Sequence, residues 1–352
     1  MKNLLYSLML LSTSFLFVAC NDDDNDDPIT DYSTILHNTG ENIILKTYES
    51  LATSAADLQA ATELLRLTPN QSNLEAARIS WIETRSPWEQ SEGFLFGPVD
   101  QEGIDPSLDS WPVNVTDLNN VLASSNPLTI EFLAQQEGTL KGFHTIEFLL
   151  WGENGNKLAS EITGREFEYL AAAAGALAAD AQHLYDLWKP TGGNFIANVH
   201  NAGNGSQVYI TQKSALEEIT NALVIIADEV GNGKINDPLA QQDLTLEESR
   251  FSANSKADFA NNIRSIKNIY TGYFGAFGNG HSVADIIKAK NAAVDAEVIA
   301  DINAAINAIE TIPGTFSDAI FNNTAAVTAA QQAVRDLQST LEEKVIPIIS
   351  NL

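Results

Sequence analysis

The chain has 352 residues, 44% of them hydrophobic, enough for one large helical domain or two smaller ones. Its 19 basic and 46 acidic residues give a net charge of −27, which excludes nucleic-acid binding through a general positive field. With a single cysteine, Cys20, it has neither a disulfide framework nor a thiolate metal site.

The N-terminus reads as an export signal over residues 1–19. Lys2 supplies the charge, and residues 4–18 form an apolar run too short for a comfortable membrane span. Cys20 directly follows Ala19, as in a bacterial lipobox, and is the expected lipidation site. Residues 21–27, NDDDNDD, hold no apolar side chain and predict a solvated tether within 20–34. An acidic run after a lipidated cysteine resembles the surface-export signal of Bacteroidetes lipoproteins. The expected location is the outer membrane, held by the lipid, on the cell surface rather than in the periplasm, with a monomer as the default state.

From residue 35 onward the periodicity is helical. Helix-length segments fall at 35–67, 72–96, 128–151, 166–188, 206–230, 258–274, 284–310 and 325–349, and strand-type alternation is scarce. Residues 189–205 are rich in Gly, Asn and Pro and read as a linker. The prediction is an all-α chain of two four-helix-bundle-like domains, 35–190 and 205–352, with a duplicated plan as a further option. The irregular stretch 97–126, containing Trp111, is too long for a simple connector and is expected to cover a site.

Three constellations carry chemistry. In WIETRSPWEQSEGFLFGP, residues 81–98, the positions Trp81, Arg85, Trp88 and Glu92 make one helical stripe. Arg85 reaches Glu89 one turn on, and Pro87 is expected to kink the helix. In GFHTIEFLLWG, residues 142–152, His144 and Glu147 share one face of an apolar helix, where an unpaired imidazole or carboxylate is costly. In 247–273, Ser252 or Ser255 is expected to cap a helix near Lys256. Asp258 suits its first turn, and Arg250 and Arg264 are candidate anion binders.

These residues resemble the imelysin family of iron-regulated bacterial lipoproteins. Its Gly-x-His-x-x-Glu hallmark stands here as Gly142, His144 and Glu147. Blocks at 85–98 and 248–263, together with 109–112 and 228–230, match in order. Trp88 departs from the tyrosine expected there. The resemblance implies two helical bundles with the motif facing the region between them. It also implies a pocket gathering Arg85, Glu92, His144, Glu147, Arg250 and Ser252, with Glu89 and Trp111 close by, and a role in binding a metal or iron compound and in iron acquisition.

The residues leave three mechanisms open. In a metal site, His144 and Glu147 are two ligands and Glu92 a third, for a divalent or ferric ion such as iron or zinc. An imelysin-type metallopeptidase is the second, although neither His-Glu-x-x-His nor its inversion is present. The third is a metal-free network or anion pocket built on Arg85, Glu92, His144, Glu147 and Arg250. The partners expected are an iron compound or an iron-transport component.

Overall fold

The computed structural model describes residues 30–352. The export signal, Cys20 and the acidic run at 21–27 lie outside them. Eight long helices dominate: α1 (Leu45–Leu67), α2 (Gln71–Glu89), α3 (Gly142–Trp151), α4 (Gly164–Trp188), α5 (Gln212–Asp228), α6 (Ser255–Thr271), α7 (Ala292–Glu310) and α8 (Thr324–Thr340). The strands among the described residues are a two-residue hairpin, β1 (Tyr273–Phe274) and β2 (Phe277–Gly278). The fold is all-α, as expected, and no described helix is long and apolar enough to cross a membrane.

The helices pack as two closed rings of four. In the first half α1 meets α2, α2 meets α3, α3 meets α4, and α4 returns to α1; in the second half α5 to α8 repeat the circuit. Helix α6 lies on α2 and joins the two rings. Small residues allow close approach where α4 crosses α1: Ala172, Ala173, Ala174, Ala176 and Ala178 are all buried.

Element ends follow from local chemistry. Asn70 caps α2 by accepting from the Asn73 amide at 2.9 Å. Thr163 and Glu166 form a reciprocal capping box at the start of α4. Pro87 falls in the last turn of α2, which ends at Glu89 before a 3-10 turn, Glu92–Phe94, rather than running on to 96.

Three expectations need correction. The segment 128–151 is not one helix: it breaks into Ile130–Ala134, a 3-10 turn at Gly138–Leu140 and α3. Lys141 is extended and Gly142 has φ of +71°, so helical dihedrals cannot pass through. The segment 284–310 divides at Asn291, whose side chain caps α7. Neither Ser252 nor Ser255 caps α6; Ser255 Oγ donates to Glu247 at 2.6 Å and Ser252 is drawn to Glu147.

Gly142 also sets a long-range contact. A Cβ there would sit 2.2 Å from the Leu108 carbonyl oxygen. Only glycine lets the turn carrying Asp109 lie against the start of α3, one residue short of His144's neighbour Phe143. Gly142→Ala is expected to destabilise the fold by about 2–3 kcal/mol in denaturant melts. An unchanged midpoint would show that this approach is not tight.

Candidate functional site

The stripe on α2 faces inward. Trp81, Arg85 and Trp88 are fully buried, with Glu89 and Glu92 beside them. Trp81 donates to the Phe143 carbonyl at 2.9 Å, tying α2 to α3. Trp88 Nε1 donates to Asp109 Oδ2 at 2.6 Å.

Arg85 is the centre of a buried ion network. Its guanidinium pairs with Glu89 one turn on and with Asp109, from the stretch 97–126, which is not irregular as expected but folds into the short helices Pro98–Gln101, Ile104–Leu108 and Val115–Ala123. It also reaches Glu248 at 3.1 Å and Asp258 at 3.5 Å, both from the second half of the chain. Lys234 supplies a second buried cation, 2.9 Å from Glu92 and 3.0 Å from Glu248. It arrives through a π-helical turn, Glu229–Lys234, that continues α5. Asn262 of α6 donates to both Glu89 (2.5 Å) and Glu92 (3.0 Å).

The motif pair sits at the edge of this network. His144 Nδ1 faces Glu147 Oε2 at 3.2 Å. Glu147 Oε1 accepts two bonds from Ser252, from its amide and its hydroxyl, each at 2.7 Å. His144 Nε2 is 3.0 Å from Asp109 Oδ1, yet off the line of a hydrogen bond, and it has no hydrogen-bond partner. Glu248 Oε2 is likewise buried without one. Both side chains line a cavity of about 420 Å³ whose wall includes Trp111 and whose rim includes Arg250.

The electrostatics follow from burial. Six buried carboxyls (Glu89, Glu92, Asp109, Glu147, Glu248 and Asp258) surround three groups that can carry positive charge, Arg85, Lys234 and His144. That excess cannot stay fully ionised in a dry interior. Burial pushes Glu89 and Glu92 well above the usual carboxylate range, against Arg85 and Lys234 in the first case. Burial also lifts Asp258 to about 6, against the pull of Arg85. Asp109 moves the other way: although burial opposes it, Arg85 and then His144 hold its carboxylate far below the usual range. Burial works against a charged His144, but its approach to Asp109 and Glu147 prevails and lifts the ring to about 9.

The residues expected at the site separate into groups. Arg85, Glu89, Glu92, His144, Glu147 and Ser252 do join one connected network. Glu92 does not stand beside the His144–Glu147 pair as a third ligand; it belongs with Lys234 and lines a separate cavity of about 230 Å³, behind Trp111. Trp111 borders both cavities, with Lys234 Nζ 5.5 Å from its ring centre. Arg250 lies near the surface, 2.9 Å from Glu153 and stacked on Phe251. Arg264 is a surface partner of Glu310. Sequence reasoning did not single out Asp109, Lys234, Glu248 or Asp258 as site residues.

Two sets of three side chains bring one ligand atom each within 4.8 Å of one another: Asp109, His144 and Glu248, and Glu89, Glu92 and Asp109. The first fits a metal better. In it Glu147 can hold the Nδ1 proton, leaving Nε2 as the donor, which is the usual way that a carboxylate orients a ligating histidine. In the second, Glu92 and Glu89 are already engaged by Lys234 and Asn262.

Removing Arg85 strands several carboxyls at once. Arg85→Met is expected to cost about 3–5 kcal/mol in denaturant unfolding, and a loss under 1 kcal/mol would deny it the central role. The raised His144 value means that folding favours the protonated ring. That stabilisation is complete below about 6.5 and is lost as pH rises through about 9. Metal-free protein should therefore lose stability between those values, and His144→Gln should flatten that slope; an equal slope in the variant would contradict it.

Comparison with known proteins bears on the family and the fold. The family model described as Imelysin, Peptidase M75, matches residues 44–341. Iron-regulated protein A of Synechococcus elongatus is 30% identical over 313 residues, 88% of this chain and 84% of that protein. A crystal structure described as an iron-regulated protein A precursor from Parabacteroides distasonis superposes with a TM-score of 0.83 at 26% identity, covering 90% of this chain and 95% of that one. An imelysin-like protein from Psychrobacter arcticum shares the fold at 14% identity, with a TM-score of 0.74 and coverage of 91% and 95%. The chain belongs to the imelysin family.

Proposed function

We propose that this protein is a cell-envelope lipoprotein, anchored through Cys20 at the outer membrane and facing the cell surface, that binds a metal ion or iron compound for iron acquisition. The family and its iron-regulated relative support an iron-related role. The observation that carries the binding step is a pair of buried atoms without a hydrogen-bond partner, His144 Nε2 and Glu248 Oε2, on two side chains that line one cavity. Desolvated polar atoms without partners are destabilising unless a ligand completes them.

In this reading His144 and Glu248 are the principal ligands and Asp109 stands next to them. Glu147, fixed by Ser252, orients the imidazole. One nitrogen and carboxylate oxygens suit iron or zinc. Glu92 and Glu89 set the charge of the surrounding network. Hydrolysis has weaker support: Glu147, the motif carboxylate available as a base, already accepts two bonds from Ser252 and faces His144. A metal-free network is the second reading, favoured by Arg85 and Lys234 already pairing with Glu248.

Soluble protein lacking residues 1–20 should bind Fe(II) or Zn(II) in calorimetry. His144→Ala and Glu248→Gln should each weaken binding at least about tenfold, and Glu92→Gln much less. Binding equal in His144→Ala and the parent protein would remove this site.

A further inference from the structure

We infer that the cavity takes its metal as a complex with a small polycarboxylate anion rather than as a bare ion; this rests on the metal reading above. Three features converge. A cavity of about 420 Å³ lies in the range that holds small organic ligands, roughly 300–1,000 Å³. An ion held at about 2.0–2.2 Å from its donors needs no such chamber.

The second feature is the donor supply. Among the buried atoms of this cavity's ligand set, His144 Nε2 and Glu248 Oε2 have no hydrogen-bond partner, and Nε2 faces only the Asp109 carboxylate at 3.0 Å. Asp109 is engaged on one oxygen by Arg85 and on the other by Trp88. Two donors leave most of an octahedral shell, or half of a tetrahedral one, open. The oxygens of a chelating anion can fill it.

The third feature is the direction of charge across the cavity. Its buried end holds the Glu248 carboxyl, with Asp109 and Glu147 next to it, paired with Arg85, Lys234 and His144, and Glu153 and Glu247 also line the cavity. Its rim carries Arg250, whose side chain is 19% exposed and whose partner Glu153 is 56% exposed. An ion pair that open contributes little and exchanges readily. Stacking on Phe251 holds the guanidinium in place, and exchange of Glu153 for a ligand carboxylate would let its fork grip bidentately. A bare cation would gain nothing from Arg250, and a free anion would leave the acceptor Glu248 Oε2 without a partner. A cation wrapped by a polycarboxylate matches both ends, with Trp111 as its apolar wall.

Calorimetry with Fe(III)–citrate, the redox-inert Ga(III)–citrate, Zn(II) alone and citrate alone tests this, using soluble protein, Arg250→Gln and Arg250→Lys. The expected result is that both chelates bind and citrate alone does not. Arg250→Gln should weaken the chelates about tenfold relative to Zn(II), and Arg250→Lys should restore part of that difference. Equal losses for chelate and Zn(II), or Zn(II) binding with no chelate binding, overturns the inference while the metal site stands. Citrate binding alone as tightly as its complexes also overturns it and marks an anion pocket. Failure of Zn(II) and of both chelates to bind removes the metal reading itself.

Discussion

Neutralising Arg85 within a dry interior is the constraint that organises this molecule. A guanidinium in the middle of the buried face of α2 must meet carboxylates there, and they come from every direction. Glu89 is its own helix neighbour, Asp109 comes from the end of the short helix Ile104–Leu108, and Glu248 and Asp258 come from the second half of the chain. Breaking one member leaves the others uncompensated, so the network stabilises the pairing of the two rings only as a whole. Such a cluster is weak as a source of net stability compared with an apolar core. Its value lies in fixing which segments meet.

The same network determines what His144 can do. Asp109 is brought beside the imidazole because Gly142 lacks a Cβ and because Arg85 and Trp88 hold both of its oxygens. Glu147 is fixed by Ser252, which reaches across from the segment before α6. The motif is therefore a device with three parts. The glycine permits close approach, the glutamate orients, and the histidine borders the cavity with Nε2 facing Asp109. In the proposed metal site it is joined by Glu248 from the other half of the chain.

Much of the fold was legible in the sequence, because helical periodicity and glycine-rich breaks are local signals. The stripe of Trp81, Arg85, Trp88 and Glu92 and the His144–Glu147 pair were legible for the same reason. Errors arose where a tertiary contact overrode the local pattern. The break before α3 depends on Leu108 pressing against Gly142. Ser252 does not cap α6 because a buried carboxylate claims its hydroxyl. Lys234 sits in GNGK, which reads as a solvated loop; only the π-helical turn after α5 swings it inward. Asp109, Glu248 and Asp258 are ordinary acidic residues until three distant segments converge, and no spacing rule links them.

The central claim is that His144 Nε2 and the Glu248 carboxylate hold the ion. Anomalous diffraction from crystals soaked with zinc or iron tests it most directly. The account predicts one dominant peak about 2.0–2.2 Å from both groups, with Glu147 still bonded to Nδ1. A peak instead among Glu89, Glu92 and Asp109, or an occupied site that leaves His144 uncoordinated, would contradict it.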